Sequence, residues 1–273
     1  MSTSAVVLAQ TEKPVAGAVA PRRAFDFSMM AGIAISIASV VAGIAATGVH
    51  LSYFLQPTGV LIVLGGTFGV TMVTTPRRAL LCSARTVLKL FTRPRIDRAE
   101  LVEEILSLAR PMRSKGILAI EPRIAGIRSR FLKESLTLAI DVPDRAQLKT
   151  ALETRLRLRE RHGETDAKTL EVAGGFAPTI GVLGTVVGLI EVLRQFSNLS
   201  GVAGGVGAAF VSTIYGLGLA NLILLPAANR IRADAAETFE IEEMIVEGVV
   251  SLLEGIHPAL LRDRLNAYAG QAQ

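Results

Sequence analysis

Apolar and polar positions along this chain come in long blocks, and the blocks predict its architecture. Phe27–Gly48, Thr58–Thr74, Gly174–Ile190 and Gly207–Pro226 contain no Asp, Glu, Lys, Arg or His. Each is long enough as a helix to cross a hydrocarbon core of about 30 Å. The link Val49–Pro57 is short and carries no formal charge beyond His50, so the first two runs form an antiparallel helical hairpin. Between the second and third runs the pattern switches. Pro76 to Val172 holds 21 Lys/Arg and 13 Asp/Glu, whereas the other two links carry no Lys or Arg except Arg194 at a helix end. Cationic loops stay on the cytoplasmic side of a membrane, which places this block and both termini there.

Within the charged block the periodicity is helical. Asp97 and Glu100 make a capping box, with Ile96 and Leu101 as its hydrophobic staple, and Leu101, Ile105 and Leu108 share a face until Pro111 ends that helix. Ile124, Ile127, Phe131, Leu136 and Ile140 continue the apolar pattern to Val142–Pro143. From Asp144, Leu148, Leu152 and Leu156 at spacing four predict a solvated helix that runs straight into the third span. After Pro226, Ile241, Ile245, Val249 and Leu252 mark an amphipathic helix. Its other face, with Asp234, Glu237, Glu240, Glu242, Glu243 and Glu247, reads as a solvated surface. The fold class is thus an all-α membrane protein, four transmembrane helices with a helical cytoplasmic domain between the second and third. Its expected parts are a disordered cytoplasmic tail (1–24), a hairpin (25–75), the cytoplasmic domain (76–172), the third and fourth spans (173–226) and C-terminal cytoplasmic helices (227–273).

Composition agrees with that division. Half of the 273 residues are hydrophobic and 19% are charged, with a mean hydropathy of +0.45. With no Trp, Tyr53, Phe54 and Phe196 are the candidate interfacial aromatics. The net charge of +5 is spent beside the spans, so it does not signal nucleic-acid binding. Cys82 is alone and reads as an inert, reduced thiol.

No enzyme constellation is present. His50, His162 and His257 lie far apart without clustered Cys or carboxylate neighbours, and no glycine-rich stretch ends in Gly-Lys-Ser/Thr. The glycines fall inside apolar runs: Gly181, Gly184 and Gly188 form one stripe, and Gly65 with Gly69 repeats the GxxxG spacing that lets helices approach closely. Thr185 lies one turn beyond Gly181, and Thr213 shares a face with Ala209, Leu217 and Asn221, with Ser212 and Tyr215 alongside. Such hydroxyls either line a polar path or bond back to their own helix, the commoner role for a single Ser or Thr. Pro178 and Pro226, at the cytoplasmic ends of the last two spans, introduce kinks or stops and are candidate hinges. A membrane protein that moves protons unaided buries a titrating group at mid-depth. None of these runs contains a carboxylate, His or Lys, and Glu191 with Arg194 sits at the outer end of the third, where the two pair. Any conducted ion needs a titrating group from a partner helix.

The stretches GGFAPTIGVLGTVVGLI, FVSTIYGLGLANLILLPAANRI, ARPMRSKGILAIE and EGVVSLLEGIHPALLRDRL resemble the MotA/PomA-type flagellar stator A subunits of the MotA/TolQ/ExbB proton channel family. The resemblance runs from Phe27 to Tyr268 and implies a non-enzymatic protein of the bacterial inner membrane without cofactor, transporting H⁺ or Na⁺. It implies a homo-pentamer in membrane lipid around a MotB/PomB-type single-span partner, whose Asp carries the ion. By position it implies that Thr185 and Thr213 face that Asp beside Ser212 and Tyr215. It makes Pro178 and Pro226 the functional prolines, and has Arg113 and Glu121 engage the rotor protein FliG. Gly175 and Pro122 stand where relatives often carry an acidic residue. The competing readings are an ExbB/TolQ-like energiser of another envelope machine and a passive membrane scaffold.

Overall fold

The computed structural model describes residues 27–90, 97–142, 144–194 and 199–270. The expected tail, the staple residue Ile96, Pro143 and Phe196 lie outside them. All regular structure among the described residues is helical. The helices are α1 (Phe27–Ala46), α2 (Pro57–Thr74), α3 (Arg77–Leu90), α4 (Arg98–Lys115), α5 (Arg130–Asp141), α6 (Arg145–Arg194), α7 (Leu199–Gly218), α8 (Leu225–Leu253) and α9 (Pro258–Gly270). Two wide π-helical turns interrupt the α geometry without breaking the rods: Leu61–Gly65 inside α2 and Leu219–Leu224 joining α7 to α8.

Two rods organise everything else. α6 is 50 residues long, about 75 Å at 1.5 Å per residue, and α7–α8 runs antiparallel to it. Gly188 meets Ala209, Gly181 meets Gly216, Gly174 meets Leu225, Gly163 meets Ala235, and Arg159 meets Glu242. The third and fourth spans are therefore the upper halves of rods whose lower halves belong to the charged domain. The expected boundaries at 172/173 and 226/227 fall inside continuous helix. α2 packs on the upper part of the rods, while α1 stands apart, with none of its Met29–Ala46 window buried.

In the charged domain α4, α5, the lower halves of α6 and α8, and α9 enclose a hydrophobic core. Ile105, Leu132, Leu136, Leu148, Leu152, Ile245, Leu261 and Leu265 lie at its centre, all essentially inaccessible. The spacing-four leucines of α6 thus face a core, not solvent.

Three further expectations change. Pro111 does not end α4, which continues to Lys115. Pro111 costs the helix one hydrogen bond, but buried Leu108, Ala109 and Met112 hold it in the core on both sides of the ring. The stop is Gly116, whose φ of +79° only glycine adopts readily. Pro226 does not end its helix either, because the π-turn widens the helix just before the ring and α8 continues for 29 residues. Third, the acidic face of α8 is not simply solvated. Asp234 and Glu242 are buried. Arg230 approaches Asp234 at 3.3 Å, Arg98 of α4 reaches Glu240 at 2.8 Å, Arg159 of α6 reaches Glu242 at 2.6 Å, and Arg264 of α9 reaches Glu247 at 3.1 Å. That face is where the neighbouring helices attach. The capping box is half made. Asp97 accepts from the Ala99 N–H at 2.9 Å, while the Glu100 carboxylate takes Arg128.

Candidate functional site

The α6–α7 crossing is built by side chains that are missing. A methyl at Gly216 would stand 2.5 Å from the Ala177 carbonyl oxygen, and one at Gly181 would stand 2.9 Å from the Ser212 carbonyl oxygen. At Gly188 it would meet Ala209 Cβ at 2.8 Å. In lipid, where apolar surface gives helices no reason to associate, this close backbone approach supplies the dispersion contact that holds them together. Gly65 and Gly69, the other GxxxG, have nothing within 4 Å. α2 instead docks through Gly59, Val63, Thr67 and Thr71, a buried stripe at spacing four that the sequence carries but that the glycines obscured.

The crossing brings Thr185 and Thr213 together, with their hydroxyl oxygens 2.5 Å apart. Thr185 Oγ1 also lies 3.0 Å from the Ala209 carbonyl of α7 and 3.3 Å from the Gly181 carbonyl of its own helix. A hydroxyl has one proton to donate. The arrangement that satisfies both helices has Thr185 donating across to Ala209 and Thr213 donating to Thr185. The Thr213 oxygen is then left as a pure acceptor, with its lone pairs free on a partly exposed face. It can accept a proton-bearing group or coordinate a hard cation, and it cannot itself titrate in the physiological range.

Ser212 and Tyr215 point elsewhere. Ser212 is buried between α2 and α6, where methyls on Gly59 and Gly184 would meet its side chain at 2.7 and 2.8 Å. The Tyr215 hydroxyl donates to the Phe54 carbonyl and accepts from the Gln56 N–H at 3.2 Å, tying α7 to the link before α2. The structure brings together only the two threonines of the expected four. Pro178 lies inside α6 beside Ala177, the residue that Gly216 approaches, and Pro226 follows the π-turn. Glu191 and Arg194 approach at 3.4 Å at the far end of α6.

Arg113 and Glu121 lie at the opposite tip of the molecule, on the hairpin from the end of α4 through Gly116 to the short helix Glu121–Ile124. Both are exposed, and neither has an ion-pair partner among the described residues. Between tip and crossing lies a charged hub invisible in the sequence. Arg159 holds Glu242 at 2.6 Å and Glu134 at 2.8 Å while its guanidinium stacks 4.8 Å over Phe131. Burial outweighs Arg159 and raises the Glu242 pKa above its ordinary value. The hydrogen bond from Arg130 lowers that of Glu134. The groups here are far apart in sequence, so only their pairing in space reveals them.

The profile of the MotA/TolQ/ExbB proton channel family matches residues 123–244, and that of the motility protein A N-terminal region matches 30–116. The chain is 28% identical over 244 residues to motility protein A of Bacillus subtilis, covering 89% of this chain and 90% of the relative. It is 29% identical over 240 residues to that of Treponema pallidum, covering 88% and 91%. Its fold is similar to the flagellar MotAB stator complex of Bacillus subtilis (TM-score 0.82, 28% identity, 89% of this chain and 96% of that one). It is also similar to C. jejuni MotAB (TM-score 0.84, 23% identity, 89% and 95%). The two profiles leave only 117–122 between them, so the four spans and most of the charged domain up to residue 244 fall within them. Residues 123–244 thus form a MotA/TolQ/ExbB proton channel family domain and residues 30–116 a motility protein A N-terminal domain, and the chain is a channel-type membrane component rather than an enzyme.

Proposed function

We propose that this protein is the ring-forming stator subunit of a flagellar motor. With a MotB-type single-span partner it lines a path for H⁺ or Na⁺ and converts ion flow into torque on the rotor. The observation that carries this reading is the Thr185–Thr213 pair: two hydroxyls held at 2.5 Å on a close-packed crossing, in apolar runs with no carboxylate, His, Lys or Arg. A wall of acceptors with no titrating group is half of an ion site. The partner's carboxylic acid supplies the other half: protonated, it donates to Thr213, and ionised, it is repelled from that acceptor-only face. With sodium, the same oxygen serves as a hard ligand.

The rods give this event a lever. A change in the distance between α6 and α7 at the threonines is transmitted along unbroken helix to the charged domain, past Pro178 and the π-turn before Pro226, the two places where the rods lack regular hydrogen bonding. Each elementary charge crossing about 100 mV yields roughly 2.3 kcal/mol, so rotor contacts must be weak enough to form and release. The exposed Arg113 and Glu121 suit that need, as solvent-exposed charges contribute about 0–1 kcal/mol each. In this reading the rotor protein that these charges engage is FliG, and the working assembly is a pentamer of this chain in the inner membrane with both termini cytoplasmic. The match to the motility protein A N-terminal region favours a flagellar motor over another envelope machine.

The test is co-expression with and without the cognate single-span subunit lacking its plug, following dye-reported flux under separate proton and sodium gradients. Flux under one gradient that needs both chains supports the proposal and names the ion. An assembled complex with no flux under either gradient overturns it in favour of a scaffold.

A further inference from the structure

α3 has a face that neither the core nor the ion path uses. Its inner side is committed: the Ser83 and Thr86 hydroxyls reach Asp166 of α6 at 3.4 and 2.6 Å. Leu90 is buried with Ala167, Ala227 and Ile231, against Val87, Leu170 and Met29. These contacts set its height. Asp166 lies eight residues before the third apolar run begins at Gly174, Ala227 directly follows the fourth, and Met29 opens α1. The N-terminal end is held at the same level, since α3 starts three residues after α2 stops at Thr74. Running from the foot of α2 to the feet of α1 and α8, α3 crosses the molecule as a collar of about 21 Å. It sits within about 12 Å of where the spans leave the hydrocarbon, which is the depth of lipid headgroups.

The outward side carries Arg78, Leu81, Cys82, Arg85 and Leu88, on about a third of the circumference, with Arg77 at its edge. Leu81 and Leu88 are 62% and 73% exposed, and among the described residues the three arginines have no ion-pair partner. Alternating leucine and arginine at helical spacing fits a boundary that is apolar on one side and anionic on the other: leucines enter the acyl edge while guanidinium forks take phosphate oxygens.

We infer that the outward face of α3 binds anionic phospholipid headgroups, seating the base of the spans on the charged leaflet. Only the spanning of the membrane by the four apolar runs is assumed, so the inference stands or falls apart from ion conduction. Cys82, the sole cysteine, lies on this face and is exposed, so a nitroxide can be placed there without mutation. The full chain, assembled with its partner in nanodiscs, is compared in neutral lipid and in lipid with about 30% phosphatidylglycerol. The expected result is a probe at headgroup depth whose oxygen-to-nickel accessibility ratio rises about fivefold with anionic lipid. The rise shrinks in about 0.5 M salt, is lost in the R78Q/R85Q double variant and is kept in R78K/R85K. A fully aqueous probe, indifferent to lipid charge, overturns the inference. So does dipolar broadening between labels, which would show the face covered by a second copy. The wild-type lipid titration decides the matter even if the glutamine variant assembles poorly.

Discussion

The two halves of the α6–α7–α8 rods show the same pair of helices solving one problem in two solvents. Above Gly174 they meet backbone to backbone through Gly181, Gly188 and Gly216, with one hydroxyl pair as the polar contact. Below Gly163, where a methyl would still crowd Ala235 at 2.5 Å, they are separated by full-sized side chains, Leu148, Leu152, Ile241 and Ile245, and fastened by Arg159–Glu242. In water, burying apolar surface drives packing, so large side chains are an asset and charges can sit at the edge. In lipid that drive is absent, and only close contact and hydrogen bonds remain. The difference places the polar function at the crossing, where a wall of hydroxyls is held without any bulky group to fill the path.

The most severe break in this contrast is a side chain in the upper seam. Gly216→Val puts carbon against the Ala177 carbonyl and is expected to cost more than about 3 kcal/mol, abolishing folded protein in fluorescence-detected size exclusion. Gly69→Val, where nothing lies within 4 Å, is expected to leave the profile unchanged.

In the lower half the reverse substitution is the damaging one. Leu132→Ala empties a fully buried position and is expected to cost about 2–5 kcal/mol, read as a lower melting temperature in detergent. Arg159→Met follows at about 2 kcal/mol, since it strands the buried Glu242, and adding Glu242→Leu is expected to recover most of that loss. If the double variant is as weak as the single, the ion pair is not what the position is for.

The smallest effect is with pH. Because Glu242 has a raised pKa in the fold, its proton is bound more tightly there than in the unfolded chain. The stability it contributes is full below the ordinary carboxylate value and is lost as pH rises through the raised one. Glu134, with a lowered pKa, acts oppositely and loses its contribution as pH falls through that lower value. Melting curves between pH 4 and 7, about the carboxylate range, are expected to show wild type losing ground to Glu242→Gln as pH rises.

The spans were legible because a run without charge has few structural options, and Thr185, Thr213 and the α6 junction followed from helical spacing. The failures share a cause. Pro111 and Pro226 read as stops from local rules, but whether a proline ends a helix depends on packing that holds the helix on both sides. The π-turns leave no mark in composition. Ser212 sits one residue from Thr213, and a rotation of about 100° turns it from the hydroxyl pair to the α2 seam. Tyr215 found the Phe54 carbonyl 161 residues away along the chain, and Arg159 found Glu242 across 83. Spacing along one helix cannot announce such pairings.

The central claim is that the Thr185–Thr213 pair forms the wall of an ion path whose titrating group belongs to the partner. The direct measurement is ion flux through the unplugged complex for Thr213→Ser and Thr213→Val, at matched membrane levels. Serine keeps the acceptor oxygen and valine keeps only the shape. Flux retained in serine and reduced at least about tenfold in valine, the scale of one lost hydrogen bond to a charged group, is the predicted result. Equal flux in both would contradict the account, leaving the pair as glue between helices.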